Sequence, residues 1–412
     1  MSSLFSNFNR VEVPFVRVTF GSGDREYTFG VQDNNSVSKI KFPNYVRSLN
    51  ITKISGVVNK YTLIIDYPIT ENSDPNYFEK VFSSISTNRK VKFSYGDYNS
   101  PNFIYKEEEA LIQGISTSFD NTTITYTITA ISSAILSSIN KVSFPAYRNR
   151  KPSDIIQNVL LKNAKYGLLD LFYGMKNLTK ILTSGILASD DTPVDIEAKV
   201  DISLLDYLKY LVSCMIPISS NKNSVKVDAY YNIVFVDDLT GDFGGPYFKI
   251  VKLASGESVS DKLETFEIDI GYPSQAIVIN FDILSDDTYS LLYNYSETID
   301  KDSNYPYRVD DQGNVVPTYS PSIATNSQFF KLTPDMQSWW TKVTQFPIKA
   351  RIVVAGLLRP AILMTKVRLN VLFYGRKHIA SGLYVITSQK DNISTSGYRT
   401  QLELLRVGED TL

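Results

Sequence analysis

Alternation at period two dominates the first third of the chain. Val11, Val13 and Phe15, then Val16, Val18 and Phe20, recur at alternate positions before the turn cluster Gly21-Ser22-Gly23-Asp24, after which Tyr27 and Phe29 follow. This predicts two strands joined by a turn. Val91, Phe93 and Tyr95 alternate with Lys90, Lys92 and Ser94 until Gly96-Asp97, which predicts another strand. Between them Phe78, Val81, Phe82 and Ile85 fall at helical spacing in Pro75 to Ser86, so one helix is expected against the sheet. The clearest hairpin is Ala110 to Ile131, with Asp120-Asn121 as its turn. Its second arm puts Ile124, Tyr126, Ile128 and Ala130 on one face and Thr123, Thr125, Thr127 and Thr129 on the other. The first face belongs to a core. The threonine face either borders a channel or interface or is a plain solvated surface.

The pattern changes near residue 148. After Arg148-Asn149-Arg150-Lys151-Pro152, Ser153 suits an N-cap, Ile155, Ile156, Val159, Leu160 and Ala164 repeat at helical spacing, and Gly167 suits a C-cap. A second helix is expected after Ser203, with Leu204, Leu208, Leu211 and Met215 on one stripe. Val225-Lys226-Val227 and Ile233-Val234-Phe235-Val236 read as a short hairpin around Tyr230-Tyr231-Asn232. The middle is thus a small α+β unit. Strand periodicity returns in Leu263 to Gly271 and Gln275 to Phe281, dissolves into Asp, Asn, Ser, Pro and Tyr from about 284 to 340, and resumes to the end. The fold class expected is mainly β with an α+β middle.

Composition adds exclusions. At roughly 150 residues per domain, 412 residues make two to four domains, and 43% hydrophobic with 21% charged residues is globular. One Cys (Cys214) and one His (His378) cannot build a Cys/His zinc site or an internal disulfide. They also leave a nucleophile with a single chance of a histidine base. Cys214, in Leu211-Val212-Ser213-Cys214-Met215, reads as a buried small hydrophobe. Gly241-Asp242-Phe243-Gly244-Gly245 lacks the Lys-Ser/Thr of a phosphate loop. Asp237-Asp238 and Asp286-Asp287 read as solvated turns, and Glu107-Glu108-Glu109 as a charged sheet edge that discourages mispairing. No cofactor and no metal are expected, and no enzymatic role. The N-terminus has neither a basic start nor an apolar run, and the apolar stretch Ile352 to Met364 is broken by Arg359-Pro360. Neither a signal peptide nor a membrane anchor is expected.

Charge is uneven although the total is -1. Residues 284 to 311 hold seven acidic and two basic side chains, whereas 342 to 412 hold eleven basic and four acidic ones. Such polarity steers association and fixes register between subunits. The 27 tyrosines are roughly twice ordinary usage and suit either interfaces or tightly packed sheets.

The last seventy residues carry a resemblance. Phe346-Pro347-Ile348-Lys349-Ala350-Arg351-Ile352, Val354-Ala355-Gly356, Arg359-Pro360, Val367 to Phe373, Ser381-Gly382-Leu383-Tyr384-Val385-Ile386 and Ser396-Gly397-Tyr398-Arg399-Thr400-Gln401-Leu402-Glu403-Leu404-Leu405-Arg406 follow in that order. This resembles the closing barrel of phage baseplate hub proteins and the related late-control and spike-hub proteins of contractile injection systems. Pro152-Ser153-Asp154-Ile155-Ile156, and Ile202 to Leu211 followed by Ile233-Val234-Phe235-Val236, resemble that family's middle domain. The aromatic-Gly pair expected after the helix is missing, and the insertion at 284 to 340 is longer than in the pattern.

The resemblance implies two tail-tube-like β-barrel domains, residues 1–147 and 247–412, flanking a small α+β domain at 148–246. It implies a virion protein: a homotrimeric hub that adapts the sixfold tail tube to the threefold central spike and lines the DNA-ejection channel. Its partners would be the tail tube, central spike, baseplate wedge and tape-measure proteins, with transient contact to passing DNA. The alternatives are a tail tube subunit or a peripheral glycan-contacting baseplate protein. Interface candidates are Thr123, Thr125, Thr127, Thr129, Arg376, Lys377, Tyr384, Tyr398 and Arg399.

Overall fold

A computed structural model describes residues 13–21, 27–30, 45–69, 85, 89–97, 105–138, 141–156, 191–216, 229–237, 247–254, 263, 265–270, 278–285, 307–309, 315–317, 348–356, 363–378 and 380–408. The N-terminal third forms β1 (Pro14–Phe20), β2 (Tyr27–Gly30), β3 (Val46–Ile54), β4 (Val57–Pro68), β5 (Lys90–Asp97), β6 (Tyr105–Phe119) and β7 (Thr123–Ser132). The middle contributes β8 (Lys141–Phe144), β9 (Tyr147–Arg150), β10 (Val194–Ile196), β11 (Lys199–Ser203), the helix α1 (Leu204–Ser213), β12 (Ala229–Val236) and β13 (Tyr247–Ala254). The last part forms β14 (Thr265–Ile270), β15 (Val278–Ser285), β16 (Tyr307–Val309), β17 (Val315–Pro317), β18 (Ile348–Ala355), β19 (Lys366–Phe373), β20 (Arg376–Lys377), β21 (Gly382–Ser394) and β22 (Gly397–Gly408).

Strands from both ends of the chain join in one 14-stranded sheet. Its order is β15-β18-β22-β21-β3-β4-β7-β6-β5-β1-β2, with β19 branching from β21 and carrying β14 and β20. The fold is mainly β, and this sheet curls into a half-barrel. The seam between the two ends is the antiparallel pairing of β3 with β21, where Ser48 to Ile54 meet Ser394 to Ser388 residue for residue.

Local chemistry accounts for most elements. In β7 the predicted face is buried (Tyr126, Ile128, Ala130) and the threonines alternate outward. At the preceding turn the Asp120 carboxylate accepts hydrogen bonds from the backbone N–H of Thr122 (2.7 Å) and Thr123 (2.6 Å), an Asx turn that reverses the chain. Ser203 caps α1, accepting from the Asp206 N–H at 3.1 Å and donating its hydroxyl to the Asp206 carboxylate at 2.7 Å. Leu204, Leu205, Tyr207, Leu208, Leu211 and Val212 are the buried stripe, and the Tyr207 ring stacks on Phe144 at 3.7 Å.

Three hydrophobic clusters follow the three regions, and each borrows from another. The first holds β1, β3 to β7 and also Ile393 and Tyr398; the second surrounds α1 and includes Val58 and Ile131; the third spans β18 to β22 and includes Val234. Cys214 is buried and free, as expected.

Some expectations are corrected. Tyr230-Tyr231-Asn232 is no turn: it lies within β12, which pairs along its whole length with β13. The inward alternation of Tyr231, Ile233 and Phe235 makes the run a single strand. Residues 152–156 are helical, but Pro152 takes the first helical position. Ser153 lies inside that turn, giving its hydroxyl and N–H to the Asp191 carboxylate (2.6 and 2.9 Å). Glu107-Glu108-Glu109 is not an edge, because β6 lies between β5 and β7. Asp237 is no solvated turn, since its side chain is buried. The helix expected over Pro75 to Ser86, the remainder of the helix to Gly167 and most of the 284–340 segment fall outside the described residues.

Candidate functional site: a polar sheet face above a buried ionic junction

The register builds the first half of the site. Thr129 pairs with Thr62, Thr62 with Asn50, Asn50 with Asn392 and Asn392 with Arg399, so one polar row crosses five strands on a single face. The next row on that face runs Lys60, Thr52, Lys390, Gln401. Thr127 and Thr125 extend it along β7. Thr125 donates to the Asp66 carboxylate at 2.8 Å, which Arg47 also approaches at 3.5 Å, and Asn392 donates to Asn50 Oδ1 at 2.7 Å across the seam. Glu403 lies between Arg351 (3.7 Å) and Lys390 (3.9 Å). A groove of about 480 Å³ opens on the seam, walled by Asn50, Thr52, Lys390, Asn392, Arg399 and Gln401.

The opposite face of the same strands is dry, and it is also polar at the seam. Lys53 of β3 forms an ion pair with Glu108 of β6. Tyr95 donates to Glu108 Oε1 at 2.8 Å, and the Tyr61 hydroxyl lies 2.8 Å from Glu108 Oε2 and 2.9 Å from Asp237 Oδ2. Asp237, just past β12, also accepts from Ser132 (2.6 Å) and Asn59 (2.8 Å). On the C-terminal side, Asp391 accepts from Thr400 and Gln389, each at 2.7 Å, and from Tyr398. Three regions of the sequence therefore converge on one cluster of three carboxylates and one lysine.

Burial and neighbouring charge set the protonation of this cluster. Burial favours the neutral Glu108 carboxyl, but the charges of Lys53 and Lys106 and the hydrogen bonds from Lys53 and Tyr95 outweigh it and hold Glu108 below the usual carboxylate range. Burial works against the Lys53 ammonium, and the facing Glu108, Asp391 and Asp237 overcome it and raise its pKa. Asp237 faces no cation as close; burial, with Glu108 nearby, pushes it up to about 6 despite its three hydrogen bonds. The Tyr61 hydroxyl has one proton for two carboxylates, a shortage that a proton on Asp237 removes. Asp391 is raised by burial against the pull of Lys53.

The structure places the sequence candidates in three groups. Thr123, Thr125, Thr127 and Thr129 and the exposed Arg399 share the polar face. Arg376 and Lys377 are exposed on the short β19–β20 hairpin, away from that face. Tyr384 and Tyr398 are interior: Tyr384 is 0% exposed and donates to the Ala380 carbonyl at 2.7 Å, and Tyr398 is 6% exposed within the junction. Their rings serve this chain's own packing and have no surface to offer a neighbour. Lys53, Glu108, Asp237 and Asp391 were missed by sequence reasoning. The available signal was the period-two alternation of β21, which puts Gln389 and Asp391 on the side of Ile393.

Among the described residues no group of three or more His, Cys, Asp or Glu side chains is arranged to hold a metal ion, and no helix is long and apolar enough to cross a membrane.

No family model and no curated protein matches the sequence. Solved structures do match the fold. A tail protein from Neisseria meningitidis MC58 aligns over 96% of this chain and 97% of its own, with a TM-score of 0.51 and 9% identity. The 43 kDa tail protein of prophage MuSo2 from Shewanella oneidensis aligns over 95% of this chain and 98% of its own, with a TM-score of 0.51 and 10% identity. From end to end, the chain has the mainly-β fold of these two phage tail proteins.

Proposed function

We propose that the chain is a structural protein of a phage tail baseplate: a homotrimeric hub that joins the sixfold tail tube to the threefold central spike and lines the channel through which DNA leaves. The supporting observation is the unbroken sheet, in which the β3–β21 pairing joins the two terminal thirds side by side and carries one polar face across both. In this reading residues 1–147 and 247–412 are two tube-like units, and 148–246 is the decoration facing spike or baseplate. Three chains then set six sheet halves around one axis, which is how a trimer can meet a sixfold tube. The face carrying Thr123, Thr125, Thr127, Thr129 and Arg399 turns inward. The tube, spike, wedge and tape-measure proteins are the neighbours, the virion is the location, and the role is scaffolding without catalysis.

Oligomer mass tests this reading. Co-expressed with a spike protein, the chain is expected at three times its 46.5 kDa mass. A ring of six would mark a tube subunit instead, and a stable monomer that binds glycans or cleaves peptidoglycan would end the hub reading.

A further inference from the structure

The groove on the seam has a chemical bias that a merely solvated face does not need. Its walls present donors: the Arg399 guanidinium, the Lys390 ammonium, the Thr52 hydroxyl and the Gln401 and Asn50 amides. Of the acceptors nearby, Asn50 Oδ1 takes the Asn392 amide, and the Asp391 carboxylate lies on the far side of the sheet, held by Thr400 and Gln389. Arg399 is exposed and makes no ion pair or side-chain hydrogen bond among the described residues. Lys390 shares Glu403 with Arg351 only at 3.9 Å. Lys60 continues the same row beyond Thr52 and is exposed.

We infer that this groove binds the phosphodiester backbone of a nucleic-acid strand, without reading its sequence. Three features favour that ligand over a sugar or a base. Among the described residues no aromatic ring lines the groove, so they offer neither a pyranose nor a nucleobase a stacking surface. The side chains present, Arg, Lys, Thr, Asn and Gln, are those that contact phosphate oxygens. Arg399 and Lys390 are diagonal neighbours on paired strands, about 7–8 Å apart along the backbone, which suits two successive phosphates better than one isolated anion. The biological meaning of the contact rests on the channel reading above; the binding itself does not.

The test uses the full-length chain and a fluorescently labelled oligonucleotide, single-stranded and duplex, titrated by fluorescence anisotropy at increasing salt. The expected result is binding independent of base composition, with log affinity falling linearly against log salt. In the double variant Arg399→Gln/Lys390→Gln that slope should shrink by about 1.4 to 1.8, the share of two phosphate contacts. An Arg376→Gln/Lys377→Gln variant, altered on the other hairpin, should keep the original slope. Unchanged thermal melting of each variant shows that folding is not the cause. The inference is overturned if the chain does not bind at low salt, if the groove variant binds like the parent, or if the hairpin variant loses as much. It is equally overturned if polyglutamate competes as well as the oligonucleotide at equal charge, because the groove would then be a carboxylate site for an acidic protein segment. A trimer that fails to bind removes this inference and leaves the hub standing. A monomer whose binding depends on Arg399 and Lys390 does the reverse.

Discussion

At the β3–β21 seam the two faces of one sheet carry equally polar side chains with opposite fates. On one face Asn50, Thr52, Lys390, Asn392 and Arg399 border an open groove. On the other, one position along the same strands, Lys53, Gln389, Asp391 and Thr400 join Glu108 and Asp237 in an enclosed network. Polarity therefore does not decide burial here; strand parity does. The wet face is free to vary and to bind. The charges of the dry face must be paired, because an unpaired charge there costs several kcal/mol, and that demand fixes how the N-terminal, middle and C-terminal segments meet.

The contrast can be broken most severely at Glu108. Glu108→Ala removes the ion-pair partner of Lys53 and leaves the Tyr95 hydroxyl short of an acceptor, while Tyr61 keeps Asp237, and a loss of about 3–5 kcal/mol is expected, read as a lower urea midpoint. An equal loss from substituting an exposed residue of the wet face would erase the distinction between the faces.

Asp237 sharpens it through pH. Its folded pKa of about 6 lies above the ordinary 3.8, so the folded state holds a proton that the unfolded state releases. The stabilisation is complete below pH 3.8 and is lost as pH rises through 6, amounting to about 3 kcal/mol over that window. Asp237→Asn removes this dependence, so urea unfolding of parent and variant at pH 4 and pH 7 should diverge by about 2–2.5 kcal/mol, the part of that window the two pH values span, the parent losing more. Parallel profiles would mean that Asp237 is ionised throughout. Glu108 acts in the opposite sense, its depressed pKa contributing stability that is lost on acidification, and it is present in both proteins.

Packing beside β22 offers a smaller break. The Gly356 N–H donates to the Tyr398 carbonyl at 2.9 Å, and a Cβ at residue 356 would overlap the Tyr398 ring. Gly356→Ala is expected to cost about 1–3 kcal/mol. Relief of that cost in the background Tyr398→Ala would assign it to this clash. The smallest effect belongs to the wet face: Arg399→Gln should leave the unfolding midpoint within about 0.5 kcal/mol of the parent.

Sequence reasoning succeeded where one residue or one alternation decides the outcome. The threonine and aliphatic parity of β7 and the start of α1 after Ser203 are local properties. It failed where the deciding neighbour is distant. Three consecutive glutamates have no parity to read, and whether β6 is edge or interior depends on β5 and β7 flanking it. Asp237 looks like any turn aspartate until Asn59, Tyr61 and Ser132 surround it. Tyr384 and Tyr398 show the same limit, since a tyrosine at an interface and one hydrogen-bonded inside a sheet have the same local sequence. The threonines of β7 and Arg399 are 270 or more residues apart, and only the register row through Thr62, Asn50 and Asn392 unites them.

The central claim, that three chains turn this polar face toward a shared channel, can be tested by thiol accessibility. Native Cys214 is buried, so Thr127→Cys and Asn392→Cys each give one reactive thiol on that face. In the assembled trimer both should react with a small maleimide but only slowly with a bulky polymer-linked one, and the difference should vanish on dissociation. Equally fast reaction with both reagents in an intact trimer would show that the face points outward and contradict the claim.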